Sequence, residues 1–313
     1  ERKQYRDGQA LSEIFNNAYG PVKLSDGQTS YTWEDLDKYD VANGKEYSYT
    51  IDEFAVPENY DKTIGEDSLT VINTYVIPKI DITANKTWVN GPETRPEIEI
   101  QLYRDGQALS DILGDDYGPV KLINGQTSYT WTGLDATDID GRLYVYTVDE
   151  VAVPENYSKT ISEDGLTITN TYVIPKTNIT ANKIWLGGSA QRPEIELQLY
   201  RDGKALSEIL GDKYGPVKLI NGQTSYTWTG LDATDINGRL YVYTVDEVNT
   251  PENYTKTISE DGLTITNTYV SPKTDITGVK IWNGGLDTRP DIQLQLFRNC
   301  VAYLDPITLT TGL

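Results

Sequence analysis

The stretch ITANKTWVNG, Ile82 to Gly91, decides the fold. Ile82, Ala84, Lys86 and Trp88 fall in one phase of a two-residue period, and Asp81, Thr83, Asn85 and Thr87 in the other. A strand with this alternation turns three small or apolar residues and one ammonium group toward the core. The oddity is repeated. Lys86, Lys183 and Lys280 are evenly spaced, at intervals of 97 residues, and so are Trp88, Trp185 and Trp282. Glu53, Glu150 and Glu247 keep the same period, as do Asn73, Asn170 and Asn267.

This internal period organises the chain. Two copies are complete, over 80–176 and 177–273. Residues 1–79 match a copy that lacks its first strand, and 274–313 match the start of a further copy followed by a divergent tail. Each copy reads as many short strands. EIEIQLY (97–103), SYTW (128–131), LYVYTVDEV (143–151), YSKTI (157–161) and LTITNTY (166–172) are rich in Tyr, Thr, Val and Ile. Asn124-Gly125, Asp140-Gly141, Asp164-Gly165 and Pro154 punctuate them, and ALSDIL (108–113) fits one helical turn. About seven strands in fewer than 100 residues predict an all-β protein of tandem antiparallel sandwiches. Junctions such as VIPKT (173–177) are short and carry Pro, which predicts stiff, end-to-end neighbours.

Bulk composition removes several function classes. The 313 residues carry a net charge of −20, with a pI near 4.4, so clustered phosphate-binding cations are lacking and nucleic acid is not an expected partner. No run of 18 apolar residues predicts a membrane span, and no basic-then-apolar leader opens the sequence. There is no Met, so the sequence reads as a processed or partial chain. With no His and one Cys, Cys300, neither a disulfide framework nor a zinc or copper site is expected, and no cofactor is implied. DATDIDG (135–141) resembles a calcium loop faintly, but lacks its bidentate Glu and reads as a solvated turn. No Ser-His-Asp set, phosphate loop or singular carboxylate pair supports an enzyme acting on cell-wall glycan.

The phase test finds two more polar residues on apolar faces. Tyr144, Tyr146, Val148 and Glu150 share a face, as do Leu166, Ile168, Asn170 and Tyr172. Each complete copy therefore aims Lys, Glu and Asn inward: Lys86, Glu150 and Asn170, then Lys183, Glu247 and Asn267. Burial favours the neutral forms of Lys and Glu. A neutral amine is a nucleophile, a carboxylic acid can polarise an amide, and Asn carries the amide. These are the parts for an isopeptide bond formed with loss of ammonia. A buried Lys–Glu ion pair with Asn filling one hydrogen bond is the alternative that phase alone leaves open.

NKTW, RPEIEIQLYRDG, GRLYVYTVDE and LTITNTY, together with DKYDVANGKEYSYTIDE in the first copy, resemble the B-type domains of the Cna collagen adhesin, found in Gram-positive surface proteins and pilins. The resemblance covers nearly all of the chain except 299–313. It implies immunoglobulin-like sandwiches, Lys–Asn isopeptide bonds assisted by an acidic residue, and an extracellular, cell-surface location. On it, Lys86–Asn170 and Lys183–Asn267 are the bonded pairs, with Glu150 and Glu247 as the assisting acids.

The two incomplete copies are complementary. Glu53 and Asn73 lie on apolar faces without a matching Lys, while Lys280 has neither Glu nor Asn. Residues 275–298 correspond to 81–104, and residues from Asp7 onward to those from Asp105. The tail of one chain is therefore expected to complete the head of the next as a head-to-tail homopolymer, closed by a Lys280–Asn73 bond assisted by Glu53. The alternative is a stalk piece, cut mid-copy, of a wall-anchored adhesin with a separate binding head. No LPxTG-type sorting motif is visible.

Overall fold

In the computed structural model, residues 2–15, 19–25, 27–123, 125–220 and 222–310 are described, the side chains of 2–4 excepted. Asn124, expected in a turn, lies outside them, as do the side chains of Arg2 and Gln4 and residues 311–313. Residues 1–177 with 232–241 form one compact unit, and 178–231 with 242–313 another.

In the first unit, Lys79–Val89 is the opening strand of a four-stranded sheet. Its neighbours are Ser128–Asp135 and the closing strand Thr167–Tyr172, and the edge strand Tyr157–Ile161 lies beyond the closing strand. Opening and closing strands run parallel, with Lys86 level with Ile168 and Trp88 level with Asn170. The other pairings of this sheet are antiparallel. A second sheet centres on Ile98–Arg104. It pairs antiparallel with the glutamate strand Tyr146–Glu150, and with the short strands Gln107–Ala108 and Val120–Leu122. The core between the sheets is built from the inward phases: Ala84, Ile100, Leu102, Trp131, Val148 and Ile168 are all buried.

The expected helical turn forms at Leu109–Leu113 and ends at Gly114. One strand is shorter than its sequence suggests. LYVYTVDEV becomes strand only at Tyr146, because the Asp105 carboxylate accepts the Val145 N–H at 2.9 Å and leaves the ladder without it. Val120–Leu122 escapes a periodicity test because three residues define no period. The DATDIDG turn is held by Asp138, whose carboxylate accepts the N–H groups of Asp140 and Arg142.

The turn before the closing strand favours glycine. Gly165 has φ +73°, its carbonyl accepts the Val148 N–H at 2.8 Å, and a Cβ there would stand 2.6 Å from Thr147 Cγ2. This contact brings the closing strand against the glutamate strand of the other sheet. Ser68 fills the corresponding role in the first copy at φ 56°, accepting the Ile51 N–H.

In the second complete copy the plan recurs. Lys176–Leu186 heads the sheet, between Ser225–Asp232 and Thr264–Tyr269, with Tyr254–Ile258 at the edge. Lys183 is level with Ile265, and Trp185 with Asn267.

The first copy keeps its second sheet: Arg2–Arg6 pairs with Tyr49–Glu53 in the register of the complete copy, Gln4 standing level with Ile51. Its other sheet is reduced to Tyr60–Ile64 with the closing strand Val71–Tyr75. Among the described residues, that closing strand has no opening strand beside it. An open cleft of about 490 Å³ lies there instead, lined by residues 29–33, Leu36, Tyr49, Ile51 and 69–71.

Gly165→Ala is expected to destabilise the complete repeat by about 1–3 kcal/mol, through the forced left-handed conformation and the Thr147 contact. A shift of the thermal unfolding midpoint measures it, and an unchanged midpoint contradicts the role given to this turn.

Candidate functional site

Three buried polar residues meet between the sheets of each complete repeat. Lys86, Glu150 and Asn170 are 4%, 4% and 0% exposed; Lys183, Glu247 and Asn267 are equally buried. The parallel register puts Lys86 one same-face position before the level of Asn170, on the neighbouring strand. Glu150 comes from the facing sheet. Asn170 Nδ2 donates to Glu150 Oε1 at 3.0 Å, and Asn267 Nδ2 to Glu247 Oε1 at 3.1 Å.

The remaining polar atoms are not satisfied. Glu150 Oε2 and Asn170 Oδ1, like Glu247 Oε2 and Asn267 Oδ1, are buried without a hydrogen-bond partner. A satisfied structural cluster would not leave two acceptors bare, since each costs about 1–3 kcal/mol. Protonated Glu150 would supply the missing donor. A carboxylic O–H on the oxygen now facing Nδ2 would donate to the amide oxygen once the amide is turned so that oxygen faces the acid.

The electrostatics favour neutral partners. Desolvation lowers Lys86 from 10.5 to about 8; the Glu150 carboxylate opposes that fall and Arg95 adds to it. Lys183 falls to about 8 for the same reason, with Glu247 and Arg192 in those roles. Burial raises the Glu150 and Glu247 carboxyls, partly offset by the asparagine hydrogen bond and the buried lysine.

The amine rests on tryptophan. Lys86 Nζ lies 3.8 Å from the centroid of the Trp88 ring and donates to the Thr87 carbonyl at 3.0 Å. Trp88 is itself level with Asn170, so the amine lies against the side chain that flanks this asparagine on the opening strand. Arg95 stands over the same ring at 5.7 Å. Sequence reasoning did not single out this arginine, although it recurs as Arg192 over Trp185 at 5.5 Å.

The expected residues of the incomplete copies are differently placed. Glu53 is half-buried with Oε2 enclosed and unbonded, and Asn73 is exposed. Lys280 is exposed in the other unit, yet repeats the local pose of its counterparts: Nζ donates to the Ile281 carbonyl at 2.8 Å and lies 4.4 Å from the Trp282 ring. Cys300 is exposed.

Comparison with known proteins agrees with this architecture. The family model for the Cna protein B-type domain matches residues 5–74, 82–171 and 179–268. The chain belongs to the Cna B-type domain family. A collagen adhesin of Staphylococcus aureus is 32% identical over 282 residues, which is 83% of this chain and 22% of that protein. This chain thus spans about a fifth of that relative's length. Among solved structures, two B repeat units of the S. aureus collagen-binding protein align with 99% of this chain and 79% of theirs, at 23% identity and a TM-score of 0.38. A minor pilin of Streptococcus agalactiae aligns with 63% of this chain and all of its own, at 14% identity and a TM-score of 0.25. No helix is long and apolar enough to cross a membrane among the described residues.

Glu150→Gln removes the charge that favours the ammonium form of Lys86, so this lysine is expected to titrate at or below about pH 8. The stability of that unreacted repeat should rise between about pH 8 and 10.5, where the unfolded chain holds the lysine proton and the folded chain does not. Carbon-13 NMR of labelled lysine reads the midpoint, and a value near 10.5 rules out the buried amine.

Proposed function

We propose that this chain is a structural segment of a Gram-positive cell-surface stalk or pilus-like fibre whose complete repeats cross-link themselves. The family and its adhesin and pilin relatives support the surface structural role. The observation that carries the chemistry is the Asn170–Glu150 bond beside an enclosed amine, with one orphaned acceptor on each partner.

The reaction balances within the repeat. Neutral Lys86 Nζ attacks Asn170 Cγ while protonated Glu150 polarises the amide oxygen. Glu150 carries a proton from the attacking nitrogen to the departing Nδ2, the Cγ–Nδ2 bond breaks, and ammonia leaves. An Nζ–Cγ amide remains. The fold supplies proximity, worth about 7–11 kcal/mol of barrier. No external enzyme or cofactor enters. Lys183, Glu247 and Asn267 act alike.

Peptide mapping is expected to find branched peptides joining 86 to 170 and 183 to 267, and an intact mass short by one ammonia per bond. Free Lys86 with intact Asn170 refutes the reading. Glu150→Ala should leave a folded repeat without its bond, and by analogy with disulfides less stable by about 4–5 kcal/mol. Full bonding in that variant would reduce Glu150 to a packing residue.

The cleft in the first copy favours a second, compatible reading. It is lined by the counterparts of the strands that flank an opening strand in the complete repeats, and by Tyr49 and Ile51 of the strand that ends at Glu53. Residues 274–283 carry the opening-strand pattern and the lysine pose that suit it. We infer that this segment of a second copy enters the cleft and joins Lys280 to Asn73. Wild-type protein should then run as a covalent ladder after boiling in detergent, and Lys280→Ala should abolish it. A wild-type sample at single-chain mass assigns the cleft to another strand and leaves the stalk reading standing.

A further inference from the structure

Asn170 has a second lysine beside it. On the edge strand, Lys159 is directly level with Asn170, and antiparallel partners at one level share a face. Lys159 is half-buried, its side chain 22% exposed. Position alone therefore offers Asn170 two amines, one from each flanking strand, and the diagonal one, Lys86, is no better placed along the chain.

What separates them is Asp149. Its carboxylate forms an ion pair with Lys159 Nζ, which also donates to the Glu150 carbonyl at 3.5 Å. Asp149 Oδ1 additionally accepts the Glu150 N–H at 2.7 Å. The same clamp holds Lys256 to Asp246 at 2.5 Å and to the Glu247 carbonyl at 3.3 Å. It is present in the first copy too, where Lys62 meets Asp52 at 2.5 Å and the Glu53 carbonyl at 3.2 Å. The first copy has no opening-strand lysine among its described residues, so the clamp forms independently of that lysine.

An ammonium paired with a carboxylate has no lone pair to attack with. Lys86, by contrast, faces an apolar core and a tryptophan ring. We propose that Asp149 and Asp246 are specificity residues: each withholds the edge-strand lysine from the neighbouring asparagine, so that the isopeptide bond is directed to the opening strand. This rests on the cross-linking reading above. A bond to the edge strand would join residues only 11 apart (159 and 170) within one hairpin, and would leave the opening strand untied.

The test uses the full chain and peptide mapping. Wild-type protein with free Lys86 refutes the cross-linking reading itself, and this inference with it. With the 86–170 bond established, Asp149→Asn keeps an acceptor for the Glu150 N–H and removes only the charge. A fraction of Asn170 is expected to appear joined to Lys159, and any bond at Asn170 proves that the repeat has folded. Lys86→Met is expected to leave Asn170 intact, while Lys86→Met with Asp149→Asn should join it to Lys159. Exclusive 86–170 bonding in Asp149→Asn, with none at Lys159 in the double variant, overturns the proposal. So does an 159–170 bond in Lys86→Met alone. Loss of every bond at Asn170 in both Asp149 variants, in chains still bonded at 183–267, also overturns it and makes Asp149 a support of the fold.

Discussion

Everything in a complete repeat depends on the parallel ladder between its first and last strands. Lys79–Val89 sits between Ser128–Asp135 and Thr167–Tyr172, so the strand made first closes a sheet finished nearly 90 residues later. Parallel pairing at such separation gains little from local contacts and pays the full loop entropy. The core must supply the difference, and the inward phases of both sheets do so. In the first copy, where no opening strand lies beside Val71–Tyr75 among the described residues, Leu69 is 52% exposed and Asn73 is exposed, although Leu11 and Ile51 on the other sheet stay buried.

Within this frame, burying Lys, Glu and Asn is destabilising unless it leads somewhere. A lysine drawn down to about 8 and a carboxyl pushed up approach the point where both are neutral. Two orphaned oxygens remain even so. The cluster is not a direct Lys–Glu salt bridge, because the hydrogen bond present runs between the acid and the amide, while the amine stays on its tryptophan.

The triad was legible in the sequence because strands impose a period of two. Lys86, Glu150 and Asn170 each break an apolar phase at one position, and the break recurs at a fixed interval. The sandwich and most strands followed from the same period; the helical turn at ALSDIL is a separate reading. What escaped did so for physical reasons. Lys159 lies in the inward phase of YSKTI, but that edge strand has too few apolar residues to mark the face. Asp149 reads as outward-facing, and its backbone and ion-pair contacts depend on a neighbouring strand that phase cannot place. Residues 143–145 look like strand until Asp105, distant in sequence, takes the Val145 N–H.

The direction of the first and last strands has a mechanical meaning. Because they run the same way, the chain enters the sheet at Lys79 and leaves it at Tyr172, at opposite ends. Antiparallel pairing would have returned it to the side it came from. Tension applied to the two ends of such a repeat therefore acts along the strands. It slides one past the other instead of peeling them apart, so the hydrogen bonds from Thr167 to Thr171 are loaded together in shear, and a covalent tie between the two strands would lie directly in the line of force.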